Sequence, residues 1–342
     1  VSSIATATAL AAAPAALAQN GLQAIEEIQV TSTLRKSAGL ADVNAAVSVL
    51  GEQELDLINH THLQESLNRL PGVSIHRNNG QESLVAIRSA VMTGAGACGA
   101  FLVAENSIPV RSAGFCNVNE MFDTHSENAS SVEVIRGPGS AFWGSNAIHG
   151  LINVVLPKAG DAGELMLEQG PRGSKRIRGS FGHDYGNFKQ LLMVNGTDEE
   201  GYRDDSGVDQ QKVSWLYNYT TKNGATLDGG FTMINLNQET AGYVTGTNSY
   251  ADSALRATNP NPEAYRDSVN GRVWTTITQQ VNDWEVVLTP YFREVNMNFM
   301  QHFLPGQPIE DTEQRSLGLQ LAAYRTLDNG AEFAMGLDLE DT

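Results

Sequence analysis

Three groups of residues in this chain carry types that could do chemistry. His60 and His62 are close enough to share a cation, but they lie at a helix start. No Cys or carboxylate near them has zinc-ligand spacing, so a capping or solvated role fits better than metal binding. Asp198-Glu199-Glu200 with Asp204-Asp205 gathers carboxylates as a calcium loop does, yet lacks the regular alternation of ligands such a loop needs. It reads as a solvated loop. Ser140 and Ser145 sit in glycine-flanked turns a few residues before His149, but no nucleophile elbow, phosphate-binding glycine loop or paired-carboxylate signature surrounds them. The expectations are therefore no metal, no cofactor and no catalytic residue.

A different stretch organises the chain. Val132 to Ile135 is a short apolar strand and Leu151 to Leu156 another; between them lie Gly137, Pro138, Gly139, Gly144 and Gly150, which force tight bends and close backbone approaches. Arg136 stands at the end of the first strand, where a cation needs a fixed acidic or carbonyl partner. Before this stretch, Val47 to Leu50 reads as a strand and Gly51 to Asn59 as a short helix. His62 to Leu70 forms an amphipathic turn, with Leu63, Leu67 and Leu70 at helical spacing. Pro71-Gly72 stops it. Val73 to Ile75, Leu84 to Val91 with Arg88, and a hairpin over Phe101 to Val110 follow, which makes the first half α+β.

After Pro157 the pattern becomes repeated strands separated by Gly and Asn turns. In Ala331 to Glu340, Ala331, Phe333, Met335, Leu337 and Leu339 share one face, while Glu332, Ala334, Gly336, Asp338 and Glu340 share the other. Leu317, Leu319, Leu321 and Ala323 repeat this, as do Val213, Trp215, Tyr217 and Tyr219, and Leu227, Phe231 and Met233. Connections alternate in length. His183 to Asn187, Thr221 to Gly224, Val281 to Asp283 and Asp328 to Gly330 are short; Thr197 to Gln210, Gln238 to Asp267 and Met300 to Glu313 are long, with only Pro171 to Ser174 brief on that side. Transmembrane β-barrels sort their connections in this way, with short periplasmic turns and long external loops. Trp215, Trp274 and Trp284 are expected in the interfacial girdles. About nine strands are countable, whereas barrels that enclose a plug have about 22, so the barrel is expected to be incomplete and the chain a fragment.

The bulk numbers agree. A formal net charge of −17 over 342 residues argues against a nucleic-acid partner, whose phosphates demand a basic surface. A mean hydropathy of −0.25 without a long apolar run excludes a helical membrane span and leaves an alternating β-barrel open. Ala9 to Ala18 is a short apolar segment ending in Ala16-Leu17-Ala18, which fits a signal peptide over residues 1–18, its basic start missing.

The string Arg136-Gly137-Pro138 followed by Trp143-Gly144-Ser145-Asn146-Ala147, with Leu70-Pro71-Gly72-Val73-Ser74 before it, resembles the plug domain of TonB-dependent outer-membrane receptors. Two departures mark a divergent branch: Ser89-Ala90 follows Arg88 where glycine is common, and Glu105-Asn106 replaces a frequent Asp-Gly turn. The resemblance implies an N-terminal α+β plug domain, residues 34–157, followed by antiparallel transmembrane strands of a partial β-barrel, residues 158–342. It implies a mobile segment over 19–33 whose Glu27, Ile28, Gln29, Val30, Thr31 and Ser32 form a TonB box that adds as a strand to TonB, the periplasmic energising protein. Localisation in the bacterial outer membrane, contact with its lipid, and active transport of a scarce solute follow as expectations, with a ferric siderophore or other metal chelate as the leading cargo. The reading it competes with is a secreted or surface β-rich binding protein, or an enzyme with a glycine-rich N-terminal domain. In an oxidising periplasm Cys98 and Cys116 are expected to form a disulfide, which would restrict the unfolded chain by about 3 kcal/mol in the chain-entropy model. That bridge would tie two apical loops together and place Arg111, Phe115, Asn117 and Asn119 against incoming solute.

Overall fold

The computed structural model describes residues 28–92, 100–115 and 119–342. Its first unit is the α+β domain. A pair of two-residue strands, β1 (Gln29–Val30) and β2 (Ala38–Gly39), opens it. Then come β3 (Val47–Gly51), α1 (Glu52–Ile58) and α2 (Gln64–Leu67), the hairpin of β4 (Val73–Arg77) with β5 (Ser83–Ile87), β6 (Phe101–Glu105), β7 (Ile108–Pro109), β8 (Ser131–Arg136) and β9 (Gly150–Val155). The main sheet has the order β3-β8-β9-β6-β7, and β6 runs parallel to β9. Its centre is the organising stretch: Val132, Val134, Leu151, Ile152 and Val154 are fully buried.

Each bend in that stretch has a local cause. Gly137 at φ +143 and Gly144 at φ +69 adopt backbone that side chains disfavour. A Cβ on Gly150 would meet Ile87 Cδ1 at 2.7 Å and the carbonyl of Ile135 at 2.9 Å, so only glycine lets β8, β9 and β5 approach. The hairpin over 101–110 turns through Asn106 and Ser107, both at positive φ, the two-residue turn whose twist matches paired strands. The strand expected to continue to Val91 ends at Ile87, because Arg88 takes φ +49 and leaves the ladder.

The second unit is a nine-stranded antiparallel sheet in chain order: β10 (Ala162–Gln169), β11 (Lys175–Asp184), β12 (Phe188–Glu199), β13 (Val208–Thr220), β14 (Thr226–Glu239), β15 (Tyr265–Val281), β16 (Trp284–Met300), β17 (Ile309–Thr326) and β18 (Glu332–Asp341). Its two faces invert the usual order of a soluble sheet. Leu165, Leu167, Met233, Val269, Leu317, Leu337 and Leu339 are each at least half exposed on the outer face. On the inner face Arg176, Lys212, Ser214, Thr232, Arg266, Asn270, Arg272 and Arg293 are buried against the α+β domain. An apolar exterior around a polar, plugged interior is the arrangement lipid demands of a barrel wall. Among the described residues no helix is long and apolar enough to cross a membrane, which bears only on helices.

Trp274 departs from expectation. Only 5 % exposed, it faces inward with the even-numbered residues of β15 and packs in the core shared with the plug, so it is not a girdle residue. Trp215 keeps the outward parity and packs beside Tyr217 and Phe231, and Trp284 meets Phe333 edge-on.

Candidate functional site

Two faces of the plug meet the requirements of a function, one at each end of the barrel wall. The end carrying the short turns holds the N-terminal segment. Of the segment expected to be mobile over 19–33, Ile28 to Ser32 is described here, and it has packing partners. Ile28 is half exposed, but β1 pairs with β2, and Val30 and Ser32 are fully buried. The reason lies in Glu133, midway along β8 and 1 % exposed. The Thr31 backbone N–H lies 3.0 Å from both of its carboxylate oxygens, the Ser32 N–H donates at 2.7 Å, and the Thr31 hydroxyl donates at 3.2 Å. Trp143 Nε1 donates to the Ser32 carbonyl, Ser140 Oγ to the Thr33 carbonyl at 2.9 Å, and Tyr324 of β17 to the Leu34 carbonyl. Arg35 lies over the Trp143 ring and pairs with Asp338 of β18 at 2.7 Å; Lys36 lies over Tyr324. Glu27 is outside the described residues.

The glycine-rich motif supports this face. Arg136 finds its carbonyl partner, donating to Pro71 O at 3.0 Å, while Arg88 donates to the Arg136 carbonyl. The motif thereby ties the end of β8 to the Pro71-Gly72 turn. Gly137 and Pro138 lead from β8 into a 3-10 turn over Ala141–Asn146 that contains Gly144 and Ser145 and is capped by Ser140 Oγ. Asn146 lines a cavity of about 440 Å³ between the plug and the inner wall, together with Arg35, Phe142, Tyr291 and Asp338.

The other end, beside the long connections, carries the plug apex. Arg111 is 2 % exposed; it pairs with Asp123 at 2.7 Å, donates to the Asn119 carbonyl at 3.2 Å and lies over the Phe115 ring at 4.5 Å. Asn119 Oδ1 accepts from Ser83 N–H at 2.6 Å. Arg111, Phe115 and Asn119 are thus brought together, with Arg111 committed to holding the loop. Cys98, Cys116 and Asn117 are outside the described residues. The acidic loop is divided: Asp198 and Glu199 end β12, and Asp204 N–H donates to Ala257 O in the neighbouring long loop.

Between the ends runs a buried polar seam. Lys212 of β13 pairs with Glu127 at 2.8 Å, Arg272 of β15 with Glu105 at 2.9 Å, and Arg266 with Glu82 at 3.4 Å. His125 Nδ1 meets Ser214 Oγ at 2.8 Å; His60 bridges Ser66 and Ser126. His62 accepts from Gln64 N–H at the start of α2, a capping role, though both helix-start histidines are buried rather than solvated. Burial pushes His60 and His125 down to about 4 and His62 to about 3, so all three are neutral at pH 7. Burial alone would raise Glu127, but Lys212 and the two histidines near it hold it at about 2. Sequence reasoning missed Glu105, Glu127, Glu133 and Lys212. Glu133 within Val132-Glu133-Val134, Glu105 at the end of an apolar run and Lys212 on the inward parity of its strand carry a signal in the sequence; Glu127, between Ser126 and Asn128, carries none. Among the described residues no cluster of His, Cys, Asp or Glu has the geometry of a metal site.

Comparison with known proteins agrees with this geometry. Residues 39–151 match the TonB-dependent Receptor Plug Domain family. The chain is 25 % identical over 206 residues to the vitamin B12 transporter BtuB of Vibrio vulnificus, covering 58 % of this chain and 32 % of that protein. It is 29 % identical over 227 residues to BtuB of Photobacterium profundum, covering 61 % and 36 %. The chain thus spans about a third of the curated relatives it matches. Among solved structures, the ferric-catecholate import receptor Fiu of E. coli K12 superposes with a TM-score of 0.68 at 16 % identity, over 92 % of this chain and 52 % of that one. FpvA of P. aeruginosa superposes at 0.71 and 13 % identity, over 91 % and 44 %. Residues 39–151 thus match a TonB-dependent receptor plug domain, and the chain shares the fold of the solved receptors Fiu and FpvA, with that domain seated against nine strands of barrel wall.

Proposed function

We propose that the protein carries out TonB-dependent active transport of a scarce solute across the bacterial outer membrane. The observation that carries this reading is the polarity of the plug. Its N-terminal segment is held at the short-turn end by Tyr324, and at the other end Asn79, in the hairpin that Asn119 holds through Ser83, donates to the Glu239 carbonyl where a long connection begins. A segment that a periplasmic partner could take up, joined through a packed domain to a solute-facing apex, is what energised uptake requires. TonB is the partner and outer-membrane lipid the surroundings of the exposed apolar face. The cargo is a ferric siderophore or other metal chelate; the names of Fiu and FpvA's pyoverdine complexes support that class, while the BtuB relatives make vitamin B12 its competitor. The apolar belt tells against a secreted binding protein or enzyme, which would expose it to water.

The test is uptake by the complete gene product in a receptor-deficient strain, with iron-loaded siderophores and cobalamin offered separately, with and without TonB. Uptake that persists without TonB would refute the reading. Ile28→Pro or Val30→Pro should abolish uptake while cells still bind the cargo, because proline removes a main-chain donor needed for strand addition.

A further inference from the structure

Glu133 stands out among the buried carboxylates of the plug. Glu105, Asp123 and Glu127 each face an arginine or lysine, but no cation among the described residues pairs with Glu133. Its partners are two successive N–H groups and one hydroxyl, all from Thr31 and Ser32. Asn153, on the neighbouring strand, donates to Thr31 Oγ1 at 3.3 Å and completes the seat. A buried charge without a counter-ion depends on such donors, and hydrogen bonds to an ionised acceptor are the strong ones.

We propose that Glu133 is the latch of the N-terminal segment, a positioning residue that decides whether Thr31 and Ser32 are available to a partner strand. Strand addition uses main-chain N–H groups, and at residues 31 and 32 these are the groups Glu133 already holds. The two states exclude one another. Release strips the carboxylate of its donors and leaves it as a buried, unpaired anion, so the same residue that holds the segment also draws it back. The segment's burial fits this: Val30, next to the seated residues 31 and 32, is itself fully buried beside β2. This proposal rests on the transport reading for its purpose, not for its mechanism.

Glu133→Gln tests it. The amide keeps the size but replaces one acceptor by a donor that opposes the Thr31 and Ser32 N–H groups. A nitroxide on Ile28→Cys in the complete receptor, held in outer-membrane vesicles and compared with unsubstituted receptor treated alike, reports the docked and mobile populations without TonB or solute. E133Q should raise the mobile-to-docked ratio roughly tenfold or more, the scale of one lost hydrogen bond to a charged group. Thr31→Pro removes a donor from the other side of the contact, outside the sheet, and should do the same where E133Q disturbs the plug, which trypsin resistance of the plug reports. E133Q should capture purified TonB periplasmic domain without solute, whereas T31P, which lacks the Thr31 N–H that strand addition uses, should be released but capture it poorly. A label that stays docked in E133Q with a resistant plug, or in T31P, overturns the latch. Release in both variants with no TonB capture by E133Q leaves the latch standing and overturns the transport reading.

Discussion

Lys212 of the barrel wall and Glu127 of the plug pair at 2.8 Å, with side chains only 2 % and 4 % exposed. Neither would tolerate burial alone. Lys212→Met should unseat the plug by about 3–5 kcal/mol, because it strands the carboxylate of Glu127. Adding Glu127→Met should restore most of the loss, since two apolar side chains leave no unpaired charge. Thermal unfolding of the plug within the barrel, followed for both variants, checks the order; a double variant worse than the single one would contradict it.

Acidification should loosen the plug. His60, His62 and His125 have folded-state values of about 4, 3 and 4, below the ordinary 6.5, so the unfolded plug binds more protons through that window. Stability is therefore present above pH 6.5 and falls as pH drops towards 4, at about 1.4 kcal/mol per histidine for each pH unit well inside the window. Glu127, held at about 2, contributes stability that is lost only below its ordinary 4.5. Proteolysis of the plug at pH 7 and pH 5 measures this; equal rates would exclude it.

Arg35 and Asp338 join the N-terminal segment to β18 at 2.7 Å, with Asp338 half exposed. Asp338→Asn should weaken the anchor by about 0.2–1 kcal/mol, the range of exposed pairs. Thiol labelling at Ile28→Cys should rise modestly, and less than in the Glu133 variant. High salt should mimic the substitution in the unsubstituted receptor.

Gly150→Ala should destabilise the plug by about 1–3 kcal/mol, since the new methyl meets the Ile135 carbonyl, which is backbone and cannot swing aside. Gly137, with nothing near its Cβ position, should respond through its φ of +143 alone. Denaturant midpoints of the two alanine variants compare steric and backbone effects.

An epitope inserted near Asn259 should be reachable on intact cells, and one within Thr221 to Gly224 should not. Asn259 lies in the long connection between β14 and β15, whereas 221–225 is a tight turn closed by Ala225 N–H to Thr221 Oγ1. Reversed labelling would invert the topology.

Much of this architecture is legible without coordinates, because it rests on local rules. Alternation in Phe333, Met335, Leu337 and Leu339 sets which face of a strand meets lipid, and loop length sorts the two ends of the wall. Arg136-Gly137-Pro138 and Pro71-Gly72 mark bends through backbone sterics that depend on the residues themselves. The partners of buried charges are another matter. Thr31 meets Glu133, His125 meets Ser214 and Arg35 meets Asp338 across separations of about a hundred residues or more, or nearly so for His125, and no period or motif relates them. Trp274 shows the same limit: its type suits a girdle, and only the strand's register turns it inward. Local chemistry thus determined the elements and their faces. Tertiary structure decided which charge neutralises which, because that depends on how the plug sits against the wall.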